Sequence, residues 1–180
     1  MTFTRPRFLP GLALFLLSAP ALGVGSAAAA DGLHLRWNDC PAGASPASIA
    51  TFACDTDAGS HELLCSLTSA QPIDSVLGVD IVVDLQYSGP ILPDWWHFEF
   101  GGCRFGQLVA DDNFAGHAGC TDLWGGQAAG GLLSYTVGMP HGGANQARIQ
   151  VAFSVLPALQ KTINTTDVYQ VARIVMSNSR

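Results

Sequence analysis

Apolar residues in this chain recur at every second position over long stretches. In GVDIVVDLQYS, Val79, Ile81, Val83, Leu85 and Tyr87 alternate with Asp80, Val82, Asp84 and Gln86, which predicts a half-buried strand. ARIQVAFSV repeats the pattern, with Ile149, Val151, Phe153 and Val155 directed inward and Arg148, Gln150, Ala152 and Ser154 outward. Shorter alternations predict strands at Leu33, Leu35 and Trp37, at Leu63, Cys65 and Leu67, at Leu133, Tyr135 and Val137, and over residues 168–176. In PDWWHFEFGGCRFG, residues 93–106, the same period sends Trp96, Phe98 and Phe100 to one face and Trp95, His97 and Glu99 to the other.

Between these runs lie clusters of Gly, Pro, Ser, Asn and Asp, such as SGPILP, WGGQAAGG and GMPHGGANQ, which are turn-forming compositions. Only VLPALQKTI, residues 155–163, suits a short helical turn. Strands joined by short turns, with one face toward water, pair antiparallel. The fold predicted is an all-β antiparallel β-sandwich of jelly-roll or immunoglobulin-like topology. No internal repeat or long linker divides it, so residues 31–180 form one domain.

The first thirty residues read differently. Arg5 and Arg7 precede an apolar run from Gly11 to Leu17, and a small-residue tract ends at Ala30. This is the layout of a secretory signal peptide, with cleavage expected near Ala30, and the apolar run is short for a membrane span. The expected location is therefore secreted, periplasmic or cell-envelope. Removing the leader leaves six basic residues against fourteen acidic, a net charge of −8. Such a surface repels phosphate backbones and anionic headgroups, so nucleic acid and membrane surfaces are disfavoured as partners.

Five cysteines in an exported chain predict disulfides with one thiol left over. Cys40 and Cys54 bracket one irregular segment, and Cys103 and Cys120 bracket another, so Cys40–Cys54 and Cys103–Cys120 are the expected staples. Cys65, inside an alternating strand, is the expected free thiol.

Candidate chemistry is sparse. A Trp95 facing outward beside His97 and Glu99 would offer a platform for a sugar ring or a protein partner, with Trp124 as a second aromatic. CDTDAGSHE, residues 54–62, places Gly59 fifth and Ser66 twelfth from Asp55, which fails the EF-hand spacing and reads as a turn. His34, His61, His97, His117 and His141 are scattered singly, without zinc-ligand spacing. No Gly-x-Ser-x-Gly is present, and the adjacency of Asp111 and Asp112 does not demonstrate the facing carboxylates of a glycosidase; nothing selects a pairing of Glu99 with either. No metal or cofactor is expected, and enzymatic activity is disfavoured. Asn164-Thr165-Thr166 matches a glycosylation sequon, meaningful only in a eukaryotic host.

The set LRWNDC, FACDTDAGSHELLCSL, DIVVDL, LPDWWHFEFGGCR, GGQAAGG and NQARIQV resembles a group of uncharacterised secreted β-rich proteins of environmental bacteria. Trp37, Cys40, Cys54, Trp95, Trp96, Cys103, Cys120, Gln127 and Arg148 carry the resemblance, which spans most of residues 31–180. It implies fold and location but no activity. Those proteins lack a cysteine at the position of Cys65 and continue beyond Arg180 into a Gly- and Cys-containing tail, so a truncated C-terminus is expected here. The function expected is that of an exported, non-catalytic interaction or structural module with an extracellular protein or polysaccharide partner, self-association included. A carbohydrate-binding module using exposed tryptophan and a secreted hydrolase are the alternatives.

Overall fold

The computed structural model describes residues 31–42, 46–52 and 56–179; the expected signal peptide and Cys54 lie outside the described residues. Among the described residues, ten strands carry the fold: β1 (Gly32–Trp37), β2 (Ser60–Thr68), β3 (Ile73–Val76), β4 (Gly78–Gln86), β5 (Leu108–Asp111), β6 (Thr121–Asp122), β7 (Ala129–Val137), β8 (Gln146–Ser154), β9 (Lys161–Ile163) and β10 (Tyr169–Ser177). One sheet has the order β1-β2-β10-β5, with β6 added parallel to β10; the second has the order β4-β8-β7. A two-stranded ribbon of β3 and β9 accompanies them. The two main sheets pack face to face as an all-β sandwich, as the alternation predicts. Among the described residues, no helix is long and apolar enough to cross a membrane.

The second sheet follows the sequence pattern closely. Ile81 and Leu133 flank Val151, and Val83 and Tyr135 flank Ile149, so each inward row runs across three strands. Ile81, Val83, Ile149, Val151 and Phe153 are all buried. The outer rows carry cross-strand polar pairs: Arg148 grips Asp84 through two hydrogen bonds of 2.7 and 2.9 Å, and Gln150 reaches Asp80. A one-residue slip would exchange these faces, so the pattern fixes the register.

In the first sheet, β2 and β10 are central and buried on both faces. Leu63, Leu64, Cys65 and Ser66 are consecutive buried residues, as are Tyr169, Gln170, Val171 and Ala172. Alternation predicts only one buried face for these strands. On the second face, Gln170 lies beside Phe114 and His117 from the segment between β5 and β7. A 3₁₀ turn at Pro157–Leu159 matches the expected helical turn.

Two expectations are corrected here. Residues 93–106 do not form a strand. Pro93 leads into a 3₁₀ turn at Asp94–Trp96, and the chain then doubles back so that Arg104 N–H donates to the His97 carbonyl at 3.0 Å. Gly102 makes this reversal possible, because a Cβ there would lie 2.4 Å from the His97 oxygen. The second correction concerns the staple. Cys40 is bonded to Cys120, at an S–S distance of 2.03 Å, and not to a sequence-local partner; Cys103 is an exposed free thiol. The supposed loop from 104 to 119 contains β5, which runs along the sheet edge and carries Cys120 away from Cys103. Cys65 is free and buried, as expected.

Candidate functional site

The 3₁₀ turn removes the alternation that would have sent the two tryptophans to opposite faces. Trp95 is 6% exposed, and its ring meets Phe52 at 4.5 Å and Trp96 at 4.8 Å between centroids. Phe98 continues the cluster to Tyr135, whose hydroxyl donates to the Trp96 carbonyl. Desolvation, with the Glu99 carboxylate adding to it, pushes the Tyr135 phenol well above its ordinary value. On its other side Trp95 supports the buried Arg104 guanidinium, 4.8 Å from the ring centroid, which donates to the carbonyls of Ser177 and Ser179. The ring is thus a packing and cation–π element that joins the turn to the end of β10.

Trp124 is 0% exposed and donates its indole N–H to the Val171 carbonyl at 2.8 Å. Neither Trp95 nor Trp124 presents a face to solvent, so the expected tryptophan platform is absent from both positions. His97 and Glu99 do sit together at the surface, 2.6 Å apart. The Glu99 hydrogen bond is the main cause of a raised His97 pKa, opposed by partial burial. They remain beside the turn but are separated from an exposed indole.

What the turn does expose is phenylalanine. Phe100 is 88% exposed and Phe105 57%, and their rings meet edge to face at 5.3 Å. They form the lip of a groove of about 260 Å³ lined also by Phe98, Leu108, Leu133 and Tyr135. This lip stands where β5 of one sheet approaches β7 of the other, and each of those strands pairs on one side only. Alternation assigns Phe100 to the core; the reversal at Gly102 puts it in water instead.

A second, polar region occupies the outer face of the first sheet. Arg173 on β10 forms a two-bond clasp with Asp111 on β5, both bonds 2.8 Å, and reaches Glu62 on β2 at 3.4 Å. The clasp with Asp111 raises the Arg173 pKa further. Glu62 in turn holds His117 Nε2 at 2.8 Å, and His117 Nδ1 faces Asp39 at 3.9 Å. Asp39 precedes Cys40, so the disulfide to Cys120 fixes this chain of charges to the loop above it. Beside it opens a cleft of about 440 Å³, lined by Asp112, Phe114, His117, Asp122 and Gln170 among others. Asp122 caps the turn that follows, accepting from Trp124 N–H and Gly126 N–H.

Sequence reasoning singled out neither surface. Asp111, Asp112 and His117 are visible as loose polar residues, but nothing in their spacing brings them to Gln170. The local signals are Gln170 and Arg173, two polar residues within the otherwise apolar run YQVARIVM. Among the described residues, no group of three or more His, Cys, Asp or Glu side chains is arranged to hold a metal ion. No family model matches the chain, and neither a curated protein nor a solved structure matches it.

Proposed function

We propose that this protein is an exported, non-catalytic β-sandwich that acts as an interaction module in the extracellular space or cell envelope, and that its contact surface is the Phe100–Phe105 lip. Export is supported by the leader-like first thirty residues and by a disulfide, which suits an oxidising compartment. The resemblance to secreted β-rich bacterial proteins points the same way.

The observation that carries the contact reading is the exposure of two adjacent phenylalanines beside an apolar groove. Large apolar side chains gathered at a surface mark association sites. The patch holds both protruding rings and a groove beside them. A two-fold contact would place Phe100 of one copy in the groove of the other, and the reverse. The occupant proposed is therefore a second copy of this chain. Two exposed rings and one groove make a small contact, and the association proposed is weak and concentration-dependent.

Sedimentation velocity over a concentration series tests this. The wild type is expected to shift toward a dimer as concentration rises, and Phe100→Ser/Phe105→Ser is expected to stay monomeric with an unchanged melting temperature. A wild type that remains monomeric throughout, or a double variant that dimerises equally well, overturns the proposal.

A further inference from the structure

The cleft over the first sheet holds a polar group with no partner. Gln170 is 1% exposed, its Nε2 has no hydrogen-bond partner, and it is one of the residues lining the cleft. Its cross-strand neighbour in register is Ser66, whose buried hydroxyl is likewise unpartnered. Residues directly opposite in an antiparallel pair point to the same face. Gln170 alone of the two lines the opening, and a buried amide without a partner is an unfavourable arrangement unless something enters to bond with it.

The surrounding residues limit what that can be. Asp112 makes no side-chain hydrogen bond among the described residues, and Asp122 retains acceptor capacity beyond its two turn contacts. Behind them stand Asp39, Glu62 and Asp111, with Arg173 already engaged by two of these carboxylates. An anion would meet this negative field. An ammonium group can donate to the carboxylates but cannot accept from the Gln170 amide. A hydroxyl does both, accepting from Nε2 while donating to a carboxylate. The match survives rotation of the Gln170 amide, because a hydroxyl can also donate to Oε1. Phe114 supplies an apolar wall, and the volume lies in the range of small-ligand sites.

We propose that this cleft binds a neutral polyhydroxylated ligand, a sugar or polyol, through the Gln170 amide and the carboxylates of Asp112 and Asp122. The site lies apart from the Phe100–Phe105 lip and uses no tryptophan, so it stands or falls separately from the self-association reading.

The test is a nitrogen–proton NMR titration of the full chain with D-glucose, D-galactose, D-mannose, N-acetyl-D-glucosamine and myo-inositol, with glucose 6-phosphate for comparison. At least one neutral compound is expected to give saturable shifts at the Gln170 side-chain amide, His117 and Gly126. Glucose 6-phosphate, whose phosphate meets the carboxylates, is expected to bind more weakly than glucose. Asp112→Ala, on the rim, is expected to weaken binding about tenfold, the effect of one hydrogen bond to a charged group, and Gln170→Leu to do the same. Asp112→Ala keeps the test decisive should Gln170→Leu fail to fold. The proposal is overturned if no neutral compound saturates, if Asp112→Ala binds as well as the wild type, or if glucose 6-phosphate binds as tightly as glucose. Phe100→Ser/Phe105→Ser should leave sugar binding unchanged.

Discussion

Replacing Cys40 and Cys120 with alanine, singly and together, measures how much the staple contributes and whether the pairing is right. The bridge closes a loop with a sequence separation of 80. The loop-entropy relation then gives a stabilisation of about 4.5 kcal/mol, against about 3 kcal/mol for either of the short local loops that the sequence suggested. For a domain of this size that corresponds to a fall in melting temperature of roughly 9–18 °C. Urea unfolding of Cys40→Ala, Cys120→Ala and the double variant should give nearly equal losses, because each removes the same covalent bond. Cys103→Ala, at an exposed thiol, should change stability by no more than about 0.5 kcal/mol. A Cys103→Ala loss equal to that of Cys120→Ala would refute the long-range pairing and restore the local one.

Three further outcomes follow from burial and charge. Burial pushes the Cys65 thiol up to about 12, so iodoacetamide should label Cys103 in the native protein and Cys65 only in denaturant; native labelling of Cys65 at a similar rate would mean that β2 is not interior. Trp95→Ala should cost about 3–5 kcal/mol in urea unfolding as a large buried ring is lost, while leaving retention on a polysaccharide column unchanged; lost retention without lost stability would return Trp95 to a binding role. His97 has its pKa raised above 6.5 by Glu99, so the stabilisation from that pair is complete below 6.5 and disappears as pH rises through the folded-state value. Glu99→Gln should therefore lower the unfolding free energy at about pH 5.5 and leave it unchanged at about pH 8.5, and a pH-independent loss would contradict the assignment.

The strands of the second sheet were legible because each is half buried. Ile149, Val151 and Phe153 alternate with polar neighbours, and one face of the sheet meets the core while the other meets water. β2 and β10 were found as strands but read as one-sided, since the covering segment comes from elsewhere in the chain. The four residues of β5 are too few to show a period, and their omission made Cys103 and Cys120 look like the ends of one loop. The error at Trp95 and Phe100 has a different origin. Period two runs through DWWHFEF in the sequence, but Pro93 and the close approach at Gly102 impose a turn on either side. A two-residue alternation carries little information when proline and glycine bound it, because backbone dihedrals then outweigh side-chain preference. The cleft was illegible for a topological reason: Gln170, Asp112 and His117 converge only once β10 lies between β2 and β5.

The polar cleft and the apolar lip both draw on the connection between β4 and β7, and the two sheets explain why. Long strands here spend their side chains on the core and on cross-strand pairs such as Asp84–Arg148, leaving little that is unpartnered. The connecting segment has to cover the outer face of one sheet and round the sandwich edge, so it carries the groups that are left available to solvent. Its two ends are held by different means. The lip is fixed by the reversal at Gly102 and by Arg104 bonded to Ser177 and Ser179. The loop bearing Asp112 and His117 is fixed through the Asp39–His117–Glu62 contacts and the Cys40–Cys120 bond. Cutting that bond should consequently loosen the cleft more than the lip. Below its melting temperature, the Cys40→Ala/Cys120→Ala protein should lose sugar-induced NMR shifts while it still dimerises through Phe100 and Phe105. If both activities vanished together in a protein that is still folded, the two surfaces would form one mechanical unit and their separate anchoring would be wrong.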